Sequence, residues 1–87
     1  MKLKKLLKLV SSTTKIKVFF DYDVLMYDPK LLDPSEYPCH ENLRVETLSV
    51  DKNSGILHVY INAIGYYYNA KTDKYEKTTV NGDQDDN

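Results

Sequence analysis

Cysteine, histidine and an acid fall together once in the sequence, at Cys39-His40-Glu41, and each type can ligate a metal. A structural zinc site takes about four protein ligands and a catalytic one about three. His58 is the only other imidazole in the chain, and adjacent residues in an extended segment point in different directions. A Cys-His nucleophilic pair meets the same obstacle, because it needs its two side chains within hydrogen-bond reach. The triplet is therefore read as loop residues. Asp21-Tyr22-Asp23 follows an apolar run, where acidic metal ligands sit in some nucleotide-dependent transferases. No phosphate-cradling glycine loop accompanies the two acids. Turn chemistry accounts for them, since aspartates bond their own backbone nearby. With Asp28 and Asp33 they form a candidate acidic partner-binding surface. Asp51-Lys52-Asn53-Ser54-Gly55 is as oxygen-rich as a calcium loop, but it lacks the alternating acids and the terminal Glu. It is read as a hairpin turn. No catalytic, cofactor or metal set remains, and the expectation is a protein that is not an enzyme.

The tyrosines carry more weight. Tyr66, Tyr67 and Tyr68 alternate across an expected strand, so at least one ring faces outwards. Tyr60 and Tyr75 are placed nearby across a hairpin, and the five together are the candidate interface. A rigid apolar ring with a polar tip suits a protein partner. Base stacking is the alternative, helped by Lys71, Lys74 and Lys77, although Asp73 and Glu76 interleave with those lysines.

Composition narrows the classes further. The 87 residues have room for one small core and no second cofactor domain. The net charge of -1 is an average of two unlike regions. Residues 1–17 carry six lysines and no acid, whereas in residues 18–87 five lysines and Arg44 meet all thirteen acids. A lysine-rich end and an acidic remainder are separate interaction surfaces. The hydrophobic fraction of 41% is too high for a disordered chain. One cysteine cannot form an internal disulfide and suits a reducing compartment. No apolar run approaches the roughly 20 residues of a membrane span. A cytoplasmic protein without a membrane partner is expected.

These surfaces need elements to hold them. Leu3, Leu6, Leu7 and Val10 recur at helical spacing, with Lys2, Lys4, Lys5 and Lys8 mostly on the other side. Ser11-Ser12-Thr13-Thr14 ends that helix. Ile16, Val18 and Phe20 then alternate with Lys15, Lys17 and Phe19 as a strand. Val24-Leu25-Met26-Tyr27 is expected to return as its hairpin partner. Pro29, Pro34 and Pro38 make residues 28–42 irregular. Residues 43–51 and 56–61 flank the turn at Gly55 as the clearest hairpin, with Leu48 and Val50 on the same face as Arg44 and Glu46. Leu48, Val50, Leu57, Val59 and Ile61 are assigned to the core beneath the helix. Residues 64–68 and 75–80 bracket a third hairpin that extends the sheet or, equally, forms an edge flap, with Gly65 as a bulge or bend. The expected fold is α+β: an N-terminal helix packed on a small antiparallel sheet built from hairpins. One domain over residues 1–80 precedes a disordered acidic tail at 81–87.

Lys2-Leu3-Lys4-Lys5-Leu6-Leu7-Lys8-Leu9-Val10, Lys15-Ile16-Lys17-Val18-Phe19 and Val24-Leu25-Met26-Tyr27 resemble small phage or prophage proteins of Gram-positive bacteria. Leu43-Arg44-Val45-Glu46-Thr47-Leu48-Ser49-Val50 and Ile56-Leu57-His58-Val59-Tyr60-Ile61 are similar to their closing hairpin. The likeness covers residues 1–62 and leaves 65–87 as an added section. It marks a fold more than an activity, and it carries over no catalytic residues. Short accessory proteins of this kind often bind host machinery, and some inhibit host defence nucleases. The acidic bias of residues 18–87 is compatible with nucleic-acid mimicry. The resulting expectation is a non-enzymatic protein-interaction or regulatory module, with a nucleic-acid-binding module using the lysine-rich helix and tyrosine-rich strand as the alternative. A homodimer through an edge near residues 64–80 fits the same pattern.

Overall fold

The computed structural model describes residues 1–21 and 30–78. The expected strand at 24–27, Asp23, Asp28 and the tail at 81–87 lie outside the described residues. Helix α1 is Leu3–Leu9, and the strands are β1 Ile16–Asp21, β2 Lys30–Leu31, β3 Arg44–Val50, β4 Leu57–Asn62, β5 Tyr66–Asn69 and β6 Lys74–Lys77. A 3-10 turn at Pro34–Glu36 runs into the short helix α2, Tyr37–His40. This is a small α+β fold, with a four-stranded sheet ordered β2-β1-β4-β3 and a separate two-stranded sheet, β5-β6. Among the described residues, no helix is long and apolar enough to cross a membrane.

The helix follows its leucine spacing. Leu3 and Leu6 are buried, while Leu7 and Val10 pack partly against the core. Lys2 at the N-cap supplies no side-chain acceptor. The first helical N–H groups instead donate across the fold, Leu3 to the Leu43 carbonyl and Lys4 to the Glu41 carbonyl, both at 2.8 Å. Those donors would otherwise be left unsatisfied at the helix start. Lys2 also makes an antiparallel bridge to Arg44. The Val45 N–H donates to the Met1 carbonyl at 2.7 Å, so the chain start covers the first residues of β3.

The main sheet differs from the all-antiparallel expectation in its central pairing. β1 pairs in parallel with β4, placing Val18 opposite Val59 and Phe20 opposite Ile61. β3 and β4 form the expected antiparallel hairpin, and β1 meets β2 antiparallel, with Phe19 opposite Leu31. The two strands with the longest apolar runs take the centre, where both faces exclude more water. The proline-bearing segment carries the chain across, so that the later hairpin docks through β4.

A second difference lies in β3. Val45 opposes Ile61 but Thr47 opposes Tyr60, so Glu46 is an extra residue in a bulge. The bulge breaks the expected run of Arg44, Glu46, Leu48 and Val50 along one face. Val45 joins Leu48 and Val50 on the core side, while Arg44 opposes Asn62 on the other. The core itself contains Leu3, Leu6, Val18, Phe20, Leu32, Leu43, Val59, Ile61 and Ala63.

Val59 and Ile61 therefore sit in the core as expected, and Leu57 packs beside it. Leu48 and Val50 do not: they are 46% and 61% exposed. Both belong to an edge strand, and a seven-residue helix of about 10 Å cannot reach across every row of the sheet.

The turns explain the remaining local structure. The Asp51 carboxylate accepts from the Asn53 N–H at 3.0 Å and the Ser54 hydroxyl at 2.9 Å. Those bonds hold it below the ordinary carboxylate range. Gly55 follows at φ 72°, completing a hairpin turn. Asp33 caps the 3-10 turn by accepting from the Ser35 N–H at 2.9 Å, while Glu36 accepts from the Asp33 N–H at 3.2 Å. Gly65, at φ 82°, turns the chain from β4 towards β5.

Candidate functional site

Two faces of the main sheet have different fates. One packs against α1 and the Leu32–Leu43 region of the core. The other carries the residues that alternate with the core set. On β4 these are His58, Tyr60 and Asn62, and on β1 they include Lys17 and Phe19. Opposed residues share a face, so the register aligns Leu31, Phe19, Tyr60 and Thr47 in one row across all four strands. Lys17, His58 and Ser49 form the next row.

The first row is an aromatic platform. Phe19 and Tyr60 stack with centroids 4.9 Å apart, and His58 meets the edge of Phe19 at 5.3 Å. All three rings remain partly accessible, and Leu31 at the end of the row is 57% exposed. β-branched and aromatic residues placed every second position make this strand pair, and the parallel register brings the rings together.

Asn62 continues the same face beyond Tyr60. Its amide donates to Glu46 Oε2 at 2.8 Å, tying β4 to the bulge. Arg44, Glu46, Asn62, Ile64, Tyr66 and Lys77 line a cleft of about 430 Å³ there. Its size is in the range of peptide and small-molecule sites. The platform thus runs into a cleft with apolar walls from Ile64 and Tyr66 and charged groups at its margin.

The five candidate tyrosines divide among different tasks. Tyr60 belongs to the platform. Tyr66 and Tyr75 pack partly against the core. Tyr75 lies against Phe20, His40 and Tyr68, with centroids 5.6, 5.0 and 5.6 Å away. It is not across a hairpin from Tyr60, because β5 and β6 form their own sheet. Tyr67 and Tyr68 are exposed on that hairpin. The Tyr67 hydroxyl donates to Glu76 at 3.2 Å, and the Tyr68 hydroxyl donates to Asp73. The bond to Asp73 is the main cause that pushes the Tyr68 phenol up to about 12. Asp21 opposes Asn62 in the sheet register, whereas Asp23 and Asp28 lie outside the described residues.

Folding separates the side chains of the Cys39-His40-Glu41 triplet and corrects its loop reading, because Cys39 and His40 belong to α2 and Glu41 caps its end. His40 is buried and its Nδ1 donates to the Glu36 carbonyl at 2.9 Å. Its ring meets Phe20 at 4.8 Å in an edge arrangement. Glu41 instead pairs with Lys74 at 2.6 Å, raising the lysine pKa and joining α2 to the second sheet. The Asn42 amide adds a bond to the Tyr75 carbonyl at 3.1 Å. Cys39 is half-buried, and burial pushes its thiol pKa up, away from the reactive thiolate. Among the described residues, no group of three metal-ligating side chains comes together.

Sequence reasoning missed Phe19, His58, Leu31 and the cleft. The signal for Phe19 was present in the alternation at 15–20, which set it opposite the core residues. The identity of its neighbour across β4 needed the parallel register. Compared with protein-family models, curated proteins and solved structures, the chain matches none of them.

Proposed function

We propose that this chain is a non-enzymatic protein-interaction module whose docking surface is the outer face of the main sheet. The observation that carries the reading is the row Leu31, Phe19, Tyr60 and Thr47, which runs into the cleft at Asn62 and Tyr66. Partly exposed aromatic rings held rigid by a sheet contribute binding area with little ordering cost. Arg44, Lys77 and Glu46 at the cleft supply a polar rim that orients a partner segment. The resemblance to phage and prophage accessory proteins supports a host protein, such as a defence nuclease, as the target class. Capture from the source cell with wild-type protein and with a Phe19→Ser/Tyr60→Ser variant tests the reading. The expected result is a specific protein retained by the wild type at low salt and lost from the folded variant. No retained protein, or equal retention by both, overturns it.

A second reading rests on a different feature. Lys2, Lys4, Lys5, Lys8 and Asn42 line a groove of about 280 Å³ beside α1, a surface suited to a polyanion. Binding to a panel of single- and double-stranded oligonucleotides, weakening steeply with salt, would favour it. An absence of binding at low salt removes it.

A further inference from the structure

We infer that the free edge of β3 is a self-pairing surface, and that two copies of the chain join through it into one continuous sheet. β3 ends the strand order of the main sheet. Among the described residues, Met1 and Lys2 cover its outer side only at Arg44 and Val45. Residues 46–50 are all exposed and contain no proline or lysine to discourage pairing.

The backbone directions specify the partner. The Asp51 N–H donates inwards to the Ile56 carbonyl at 3.0 Å. Alternation then turns the N–H and C=O groups of Val50 and Leu48 outwards, away from β4. The Leu57 N–H agrees with this parity, because it donates to the Lys15 carbonyl on the β1 side at 3.0 Å. An antiparallel copy with Ser49 opposite its own counterpart sets Leu48 opposite Val50 of the second copy, twice. Every outward group of those two residues then finds a partner, giving roughly four backbone hydrogen bonds.

Side chains favour the same register. It brings together Leu48 and Val50, the exposed apolar residues of the core face that α1 does not reach. Beyond the paired stretch the same register brings acidic Glu46 and basic Lys52 of the second copy to the same end of the joined edge, on both sides. The bulge at Glu46 and the turn after Asp51 limit the paired stretch on either side. Paired residues share a face, so the Phe19–Tyr60 platforms of the two copies lie on the same side of the joined sheet.

The test is sedimentation equilibrium of the full chain over a concentration series reaching roughly 1 mM. Wild-type protein is expected to pass from 10.1 kDa to about twice that mass. A Leu48→Lys/Val50→Lys variant, altered at positions already exposed, is expected to stay monomeric with an unchanged circular dichroism spectrum. Register is read by mild oxidation of Ser49→Cys, whose thiols would face each other at a close, non-hydrogen-bonded pair. It should cross-link to a covalent dimer faster than Thr47→Cys or the wild type, which retains only Cys39. A wild-type mass fixed at 10.1 kDa throughout overturns the inference. So does a dimer that the double lysine variant leaves intact, or a Ser49→Cys protein that cross-links no faster than Thr47→Cys.

Discussion

The rings of Phe19 and Tyr60 stack across the parallel β1–β4 pair, with centroids 4.9 Å apart and planes inclined by 16°. Neither residue belongs to the buried core, so the pair is a surface feature organised by the register of two central strands. Its energy is expected to be that of an aromatic pair in partial contact with water, about 0.5–1.5 kcal/mol of coupling. Urea unfolding of Phe19→Ala, Tyr60→Ala and the double variant measures this as a double-mutant cycle. Additive single effects would show that the rings touch without stabilising one another.

Leu3 and Leu9 begin and end the same helix but meet different surroundings, at 0% and 66% exposure. Leu3→Ala removes buried methyl groups and leaves a cavity, and is expected to cost about 2–5 kcal/mol. Leu9→Ala is expected to stay within about 0.5 kcal/mol of the parent. Denaturant midpoints of the two variants compare them directly. Equal losses would contradict the orientation of α1.

Tyr68 donates its hydroxyl to the Asp73 carboxylate, a bond that exists only while the phenol is protonated. The folded-state value of about 12 lies above the ordinary 10.0. Between those values the folded chain holds a proton that the unfolded chain has released. The bond's contribution to stability is therefore complete below pH 10 and declines as pH rises towards 12. Ultraviolet titration of tyrosinate is expected to show Tyr68 among the late-ionising phenols, with Tyr37 and Tyr67 also raised, and Asp73→Asn should move Tyr68 back towards the ordinary value. An unshifted titration in Asp73→Asn would contradict that assignment.

Gly55 and Gly65 adopt φ values of 72° and 82°, and a methyl group added at either would meet no atom within 4 Å. Substitution by alanine is thus a test of backbone conformation without steric crowding. Each variant is expected to lose about 1–2 kcal/mol from the left-handed backbone alone. Asparagine, which tolerates that region better, should recover part of the loss at each site. Thermal unfolding of the alanine and asparagine pairs checks the order.

Much of the local structure was legible in the chain. The leucine spacing of α1, the alternation of β1 and the turn at Gly55 are local signals, because each depends on residues within a few positions of one another. The Asp33-Pro34-Ser35-Glu36 cap is equally local, a side-chain exchange across three residues, but the prolines led this stretch to be read only as irregular. His40 and Tyr75 were less so. Their contact requires α2 and the second sheet to meet, which is arranged by Lys74 with Glu41 and Asn42 with the Tyr75 carbonyl, each 33 residues apart.

Composition and periodicity by themselves determined an α+β chain, its basic beginning and the residue types available for a surface. The six-lysine start and the core leucines needed no partner to be recognised, since charge and 3.6-residue spacing are properties of the local sequence. Tertiary structure alone decided that β4 lies parallel to β1, that Glu46 bulges, and that Leu48 and Val50 remain outside the core. Register sets the face of every side chain on a strand, and one inserted residue reverses those that follow. The pairing of β1 with β4 spans the whole proline-bearing segment, so no short window of sequence contains the information that brings Phe19 to Tyr60.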